Sequence, residues 1–337
     1  MDDIKKVDRE LYLISRYIFA LELYPINYEK EKAKVLEDKT YNPKFKYPKV
    51  VFPEKVKSGL TNFDINLLRW NKLYSDKKKE LINKIKLREA IGTPAFAPMS
   101  YEMFGKPSKE LVNKAYSLLN LPVTKISAKY NSISTVKKFL ENLLAQGYNW
   151  QIREKDLVVG AMTNHVKRVL YVNKNRKFDE VSVKRLIAHE ISTHIARAEN
   201  GRNQRYRLFF MGFPGYLKTE EGLAVYNEDK AGLLPNRVWK HYAGRVVAAD
   251  LAIKNSFSTV YTELLEFFPK ELAWDLTVRV KRGLGDTSRP GAYTKDIVYL
   301  QGYYYVKNFI ENGGNIKDLY LGRIGVEHIK IAKEMLA

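Results

Sequence analysis

Two histidines five positions apart constrain this chain more than any other feature. They lie in Leu186-Ile187-Ala188-His189-Glu190-Ile191-Ser192-Thr193-His194, a run that reads as a helix in a sequence with five histidines in all. At about 100° per residue an α-helix would set His189 and His194 about 140° apart, pointing their rings away from each other. A one-residue π-bulge near Ile191-Ser192-Thr193 would absorb the extra residue, and such bulges are frequent at functional sites. The hydroxyls of Ser192 and Thr193 can satisfy a carbonyl that the bulge frees. The expectation is therefore a distorted, mostly buried helix. Its apolar residues are Val181, Leu186, Ile187, Ile191 and Ile195, with Lys184, Arg185 and Arg197 on a polar side. Asp179 or Ser182 can cap its start, and Asn200-Gly201 is expected to stop it.

A third donor follows in Thr219-Glu220-Glu221-Gly222-Leu223-Ala224. Open catalytic zinc sites often use two His and one Glu and leave the fourth position to water. Zinc lowers the pKa of that water and polarises a carbonyl, so Glu190, between the histidines, is the candidate base. Zn2+ is the expected cofactor, with His189, His194 and one of Glu220 and Glu221 as ligands. A structural metal site is the competing reading, although structural zinc usually recruits thiolates and the chain has no cysteine. Thr219 reads as the N-cap of a helix from Glu220 to Lys230, whose dipole by itself favours acidic residues there.

The pairing of H-E-x-x-x-H with a downstream E-E-G-L-A resembles the tyrosine carboxypeptidase family, which includes microtubule-associated members and bacterial "QEGLA motif" proteins. Arg279-Val280-Lys281-Arg282-Gly283 and Tyr293-Thr294-Lys295-Asp296-Ile297-Val298-Tyr299-Leu300-Gln301-Gly302 are similar to two further stretches of that family. The likeness covers roughly residues 120 to 310. It implies zinc ligands at His189, His194 and Glu221, a catalytic Glu190, and a gluzincin-like zinc metallopeptidase that trims a C-terminal residue. An aromatic residue such as tyrosine, on an acidic tail, is the substrate end so implied. A zinc endopeptidase or aminopeptidase with the same site remains an alternative, as does a non-catalytic metal-binding regulatory protein.

A carboxypeptidase needs a cation for the substrate's terminal carboxylate, and arginine's planar fork suits that role. Arg279, Arg282, Arg289 and Lys295 are candidates, with Arg282 and Lys295 preferred. Tyr299 or Tyr293 could donate to a developing oxyanion. The competing readings are an ordinary Lys295-Asp296 ion pair and packing roles for the tyrosines.

Composition sets the surroundings. Lys and Arg total 58 against 38 Asp and Glu, a formal charge of +20. That balance suits an acidic peptide or protein C-terminus, although it also fits a merely solvated lysine-rich surface. Basic runs such as Lys77-Lys78-Lys79 lack aromatic interleaving, so nucleic acid is not expected as a partner. The N-terminus lacks the apolar stretch of a secretory signal, and no apolar run reaches the ~20 residues needed to span a bilayer. The expectation is a cytoplasmic protein without a membrane partner.

The chain reads as α+β and mostly helical, with a small mixed sheet packed on helices. Residues 1–121 read as a helical accessory region and 122–337 as the metallopeptidase domain. Helices are expected over 4–24, 62–91, 108–119, 134–146, 235–254, 258–267, 270–282, 294–312 and 316–336, the helix at 294 capped by Thr294. An extended connector over 41–53 and an irregular 92–98 lie between the early helices. Strands are expected over 125–130, 150–153 and 162–173, the last carrying His165 as a packing histidine.

Overall fold

The structure, a computed structural model, describes residues 2–18, 23–123, 130–157 and 160–337. They fall into two compact units, Met1–Leu121 with Val238–Gln301 and Pro122–Arg237 with Gly302–Ala337. Helix predominates, and the described strands form one small mixed sheet, as the sequence predicts.

Unit 1 begins with the helices α1 (Asp2–Ser15), α2 (Tyr28–Glu37), α3 (Glu54–Thr61), α4 (Asn71–Glu89), α5 (Phe96–Phe104) and α6 (Lys109–Leu119), and the connector expected over 41–53 runs without helix or strand between α2 and α3. The early helix expected over 4–24 ends at Ser15, and residues 19–22 lie outside the described set. Of the segment expected to be irregular at 92–98, residues 92–95 are turns and bends as expected, whereas 96–98 begin α5, because Phe96 and Ala97 bury into a core with Leu87, Leu284 and Tyr293. Burial of that kind is worth about 1.5–3 kcal/mol per large apolar side chain and overrides the local Pro and Gly signals.

Unit 2 opens with α7 (Ser132–Ala145) and the strands β1 (Gln151–Lys155), β2 (Ala161–Asn164) and β3 (Val169–Asn173). Their order is β1-β3-β2, with β1 parallel and β2 antiparallel to β3. The single strand expected over 162–173 is thus two strands joined by a turn, in which Arg168 takes φ 49°. His165 sits in that turn, its ring packed on Trp150 at 6.0 Å. The strand expected over 125–130 falls largely outside the described residues, and Tyr130 makes an isolated bridge to Phe178.

The sheet packs on α8 (Glu180–Leu186) and on a π-helical segment, Ile187–Ile195, through Leu170, Val172, Phe178, Val183, Ile191 and Ile195. Next come α9 (Ala196–Asn203), α10 (Leu208–Met211) and α11 (Leu217–Lys230). Asn200-Gly201 does not end the helix: α9 runs through both, and Gly201 is where α9 meets the backbone of Phe209 too closely for any side chain.

Three long helices follow in unit 1, α12 (Asn236–Lys254, assigned to this unit from Val238), α13 (Phe257–Leu265) and α14 (Lys270–Lys281). A 3-10 turn, Lys295–Ile297, leads into α15 (Val298–Glu311), and Thr294 does not cap it with its side chain. Ser100 engages Thr294 instead, its hydroxyl accepting from the Thr294 N–H at 2.9 Å. The helix expected over 316–336 is broken by Gly322 and Gly325 into two 3-10 turns and α16 (Ile329–Leu336).

In unit 2, Gly222 of α11 faces Gly302 of α15, and a Cβ on either would overlap the other helix's backbone. The glycines of the two family-like motifs are therefore a helix-crossing contact. Gly222→Val is expected to cost about 3 kcal/mol or more by overpacking. Differential scanning fluorimetry should show a melting temperature lower by several degrees.

Candidate metal centre

The π segment does what the histidine spacing requires. With i→i+5 bonding, residues five apart stack one turn above another, so His189 and His194 come to one face. The distortion extends over nine residues and is not confined to one bulge. Thr193 supports it as expected, its hydroxyl donating to the Ala188 carbonyl at 2.8 Å. Asn227 Nδ2 donates to that hydroxyl at 2.7 Å, and the Tyr320 hydroxyl donates to the Ser192 carbonyl at 3.1 Å. Asp179 caps α8, accepting from the Ser182 N–H at 2.9 Å.

The two rings lie 4.8 Å apart at 83°. Their Nε2 atoms both face Glu221 Oε2, at 3.5 Å from His189 and 3.7 Å from His194. One donor atom from each of His189, His194 and Glu221 lies within 4.8 Å of the others, and all three residues are buried. Glu221 and not Glu220 completes the triad. Thr219 does not cap α11, which begins at Leu217; its hydroxyl accepts from the Val326 N–H at 3.1 Å.

The far side of each imidazole is held by a carboxylate. His189 Nδ1 lies 2.5 Å from Glu228 Oε1, and His194 Nδ1 lies 3.1 Å from Glu220 Oε1. Such contacts keep a proton on Nδ1 and aim Nε2 inward, which is how metal-ligating histidines are usually oriented. Arginines anchor both carboxylates. Arg185 Nη1 pairs with Glu228 at 3.2 Å, while Arg197 Nη1 donates to Glu220 Oε2 at 2.5 Å and Arg323 Nε lies 3.6 Å from Oε1.

The charges follow from this arrangement. Burial disfavours the ionised form of Glu220, yet Arg197 and Arg323 hold its carboxyl well below the usual carboxylate range. Burial likewise opposes ionisation of Glu228, and Arg185 and His189 reverse that. For His189, burial disfavours the charged ring, but hydrogen bonds donated to Glu221 and Glu228 push it up to about 10. The pocket is thus built to hold positive charge. Two oriented imidazole nitrogens and one carboxylate fit a divalent cation with N and O ligands, and the site contains no thiolate. Glu190, in the turn between the histidines, is buried beside this group and adds to the negative field on His189.

Sequence reasoning missed Glu228, Arg197 and Arg323. Arg197 was expected on the polar side of the helix but is fully buried. Its Nε donates to the Leu319 and Gly322 carbonyls at 2.8 and 3.1 Å, and Nη2 donates to the Ile324 carbonyl at 2.5 Å. The signal was present in spacing: Arg197 is three residues after His194, and Glu228 is two helical turns after Glu221.

The expected substrate-binding residues lie in unit 1. Arg279 Nη1 donates to Asp296 Oδ2 at 2.7 Å, and Arg282 Nη2 donates to Asp296 Oδ1 at 3.4 Å. Asp296 takes these arginines as its ion-pair partners, not Lys295, which is half-buried. Tyr299 stacks on Tyr242 at 5.7 Å. Tyr293 is buried against Phe96 and Phe104, a packing position. Arg289 is exposed and pairs with Asp286.

The sequence matches the family described as microtubule-associated tyrosine carboxypeptidase over residues 34–337. It is 28% identical to mouse putative tyrosine carboxypeptidase MATCAP2 over 92% of this chain and 55% of that protein. It is 27% identical to mouse microtubule-associated tyrosine carboxypeptidase 1 over 61% of this chain and 48% of that protein. The human counterpart of the latter is 33% identical over 35% of the chain and 26% of its own length. The chain spans about half the length of the first two of these relatives. With a family match over nearly all of its residues, the chain belongs to the microtubule-associated tyrosine carboxypeptidase family.

Proposed function

We propose that this chain is a zinc-dependent carboxypeptidase that releases a C-terminal residue, tyrosine in the first instance, from a peptide or protein tail. The observation that carries the reading is the convergence of His189 Nε2 and His194 Nε2 on the Glu221 carboxylate. The relatives' names supply the reaction class and the tyrosine. The net charge of +20 favours an acidic tail.

In this reading His189, His194 and Glu221 hold zinc, which when bound activates water and polarises the scissile carbonyl. Glu190 takes the proton from the attacking water and passes it to the leaving amine. Glu228 and Glu220 keep the two imidazoles in register, and Arg185, Arg197 and Arg323 keep those carboxylates ionised and in place. Two histidines on one helix and a glutamate on a later one relate the proposed core to gluzincin peptidases. At the sheet edge, β2 packs against the π segment and pairs with β3 on one side, so its other edge suits strand addition by an extended peptide.

Mass spectra of peptides incubated with the zinc-loaded protein test the reading. Loss of a single C-terminal residue, abolished by a chelator, is expected. Internal cleavage or N-terminal loss would reassign the same site to an endopeptidase or aminopeptidase. A further expectation concerns Glu228→Gln. Removing the charge behind His189 should weaken zinc binding about 10- to 100-fold in a competition titration with a chromogenic chelator.

A further inference from the structure

Asp296 in unit 1 is surrounded by positive charge. Arg279 and Arg282 donate to it, and Arg245 and Lys295 act on the same carboxyl through space. Four cations act on one buried carboxylate, an excess of positive charge that favours a further anion nearby.

The guanidinium of Arg245, on α12, shows where that anion would sit. Its carbon lies 4.2 Å from the Tyr299 ring centroid and 5.1 Å from that of Tyr242, so a pair of aromatic rings packs against it. Its edge differs. Nε and Nη1 of Arg245 are buried and have no hydrogen-bond partner among the described residues, and the same holds for Nε of Arg282. Buried donors are rarely left without acceptors. Three cationic N–H donors call for a group that accepts only and carries negative charge, and a planar carboxylate matches the guanidinium edge.

We infer that Arg245, with Arg282, forms a carboxylate-binding site in unit 1, and that its occupant is the terminal carboxylate of a peptide. The occupant's identity rests on the carboxypeptidase reading above; the carboxylate chemistry does not. Arg279, engaged by Asp296, is a positioning residue that fixes the carboxylate on which Arg282 leans.

The test is calorimetric titration of Glu190→Gln protein, in which turnover is blocked, with one hexapeptide ending in tyrosine as its free acid and as its C-terminal amide. The free acid should bind at least about tenfold more tightly, the scale of a charge-assisted hydrogen bond. Adding Arg245→Gln should erase that preference, leaving amide binding and the melting temperature unchanged. Arg245→Lys should give an intermediate preference, since lysine keeps the charge and loses the fork. Equal binding of acid and amide by the Arg245 protein would overturn the inference. So would an acid preference that survives Arg245→Gln, or an equal loss for both peptides. Failure of the carboxypeptidase reading would show separately, as no release of the terminal residue by protein with Glu190 intact.

Discussion

Glu190→Gln is expected to bind one equivalent of zinc, as the parent protein is expected to, and to lose about 10²- to 10⁴-fold in kcat/KM on a C-terminal tyrosine peptide. The amide keeps the shape of the carboxylate in the turn between the histidines but cannot accept a proton at neutral pH. The proposed ligands themselves are untouched, because Glu228 and Glu220 still orient His189 and His194. Metal analysis by inductively coupled plasma mass spectrometry together with a peptide assay separates the two effects. Turnover near the parent rate in zinc-loaded Glu190→Gln would remove Glu190 from the role of base.

His194→Ala should lose both properties, falling below stoichiometric zinc and below detectable hydrolysis. Two remaining donors cannot make the three-ligand set of an open catalytic zinc site. The fold should survive, because Glu220 keeps its pairs with Arg197 and Arg323 after the imidazole is gone. A native far-ultraviolet circular dichroism spectrum with absent zinc is the expected combination. Stoichiometric zinc in folded His194→Ala would place the ion elsewhere.

Much of the centre could be read from the chain because short-range geometry sets it. Five-residue histidine spacing is incompatible with converging rings on an α-helix, so a π distortion follows from counting, and Thr193 was recognisable as the hydroxyl that supports it. The choice of Glu221 over Glu220 was legible only through the family resemblance, not from the local residues. Adjacent residues on a helix differ by about 100° in direction, and only the positions of His194 and Arg197 decide which carboxylate faces inward. Glu228 and Arg197 escaped notice for a related reason: a charged residue reads as solvent-facing until its buried partner is known.

At the level of the fold, strong amphipathic periodicity located the long helices, such as Asn236–Lys254 and Lys270–Lys281. Errors came where tertiary contacts outweigh local signals. Gly201 reads as a helix stop but lies inside α9 because Phe209 needs the space. The turn at 165–168 was hidden within an apolar run, since Arg168 carries a left-handed conformation that its residue type does not advertise. Likewise, the excess of arginine around Asp296 involves α12, α14 and the turn before α15, a combination that no local window contains.

The most direct measurement is a crystal structure grown with zinc, with anomalous diffraction recorded at the zinc edge. One peak should appear, bonded at about 2.0–2.2 Å by His189 Nε2, His194 Nε2 and a Glu221 carboxylate oxygen, with Glu220 and Glu228 still on the outer Nδ1 atoms. A peak bonded through Glu220, or zinc sites found only away from both imidazoles, would contradict this assignment of the centre.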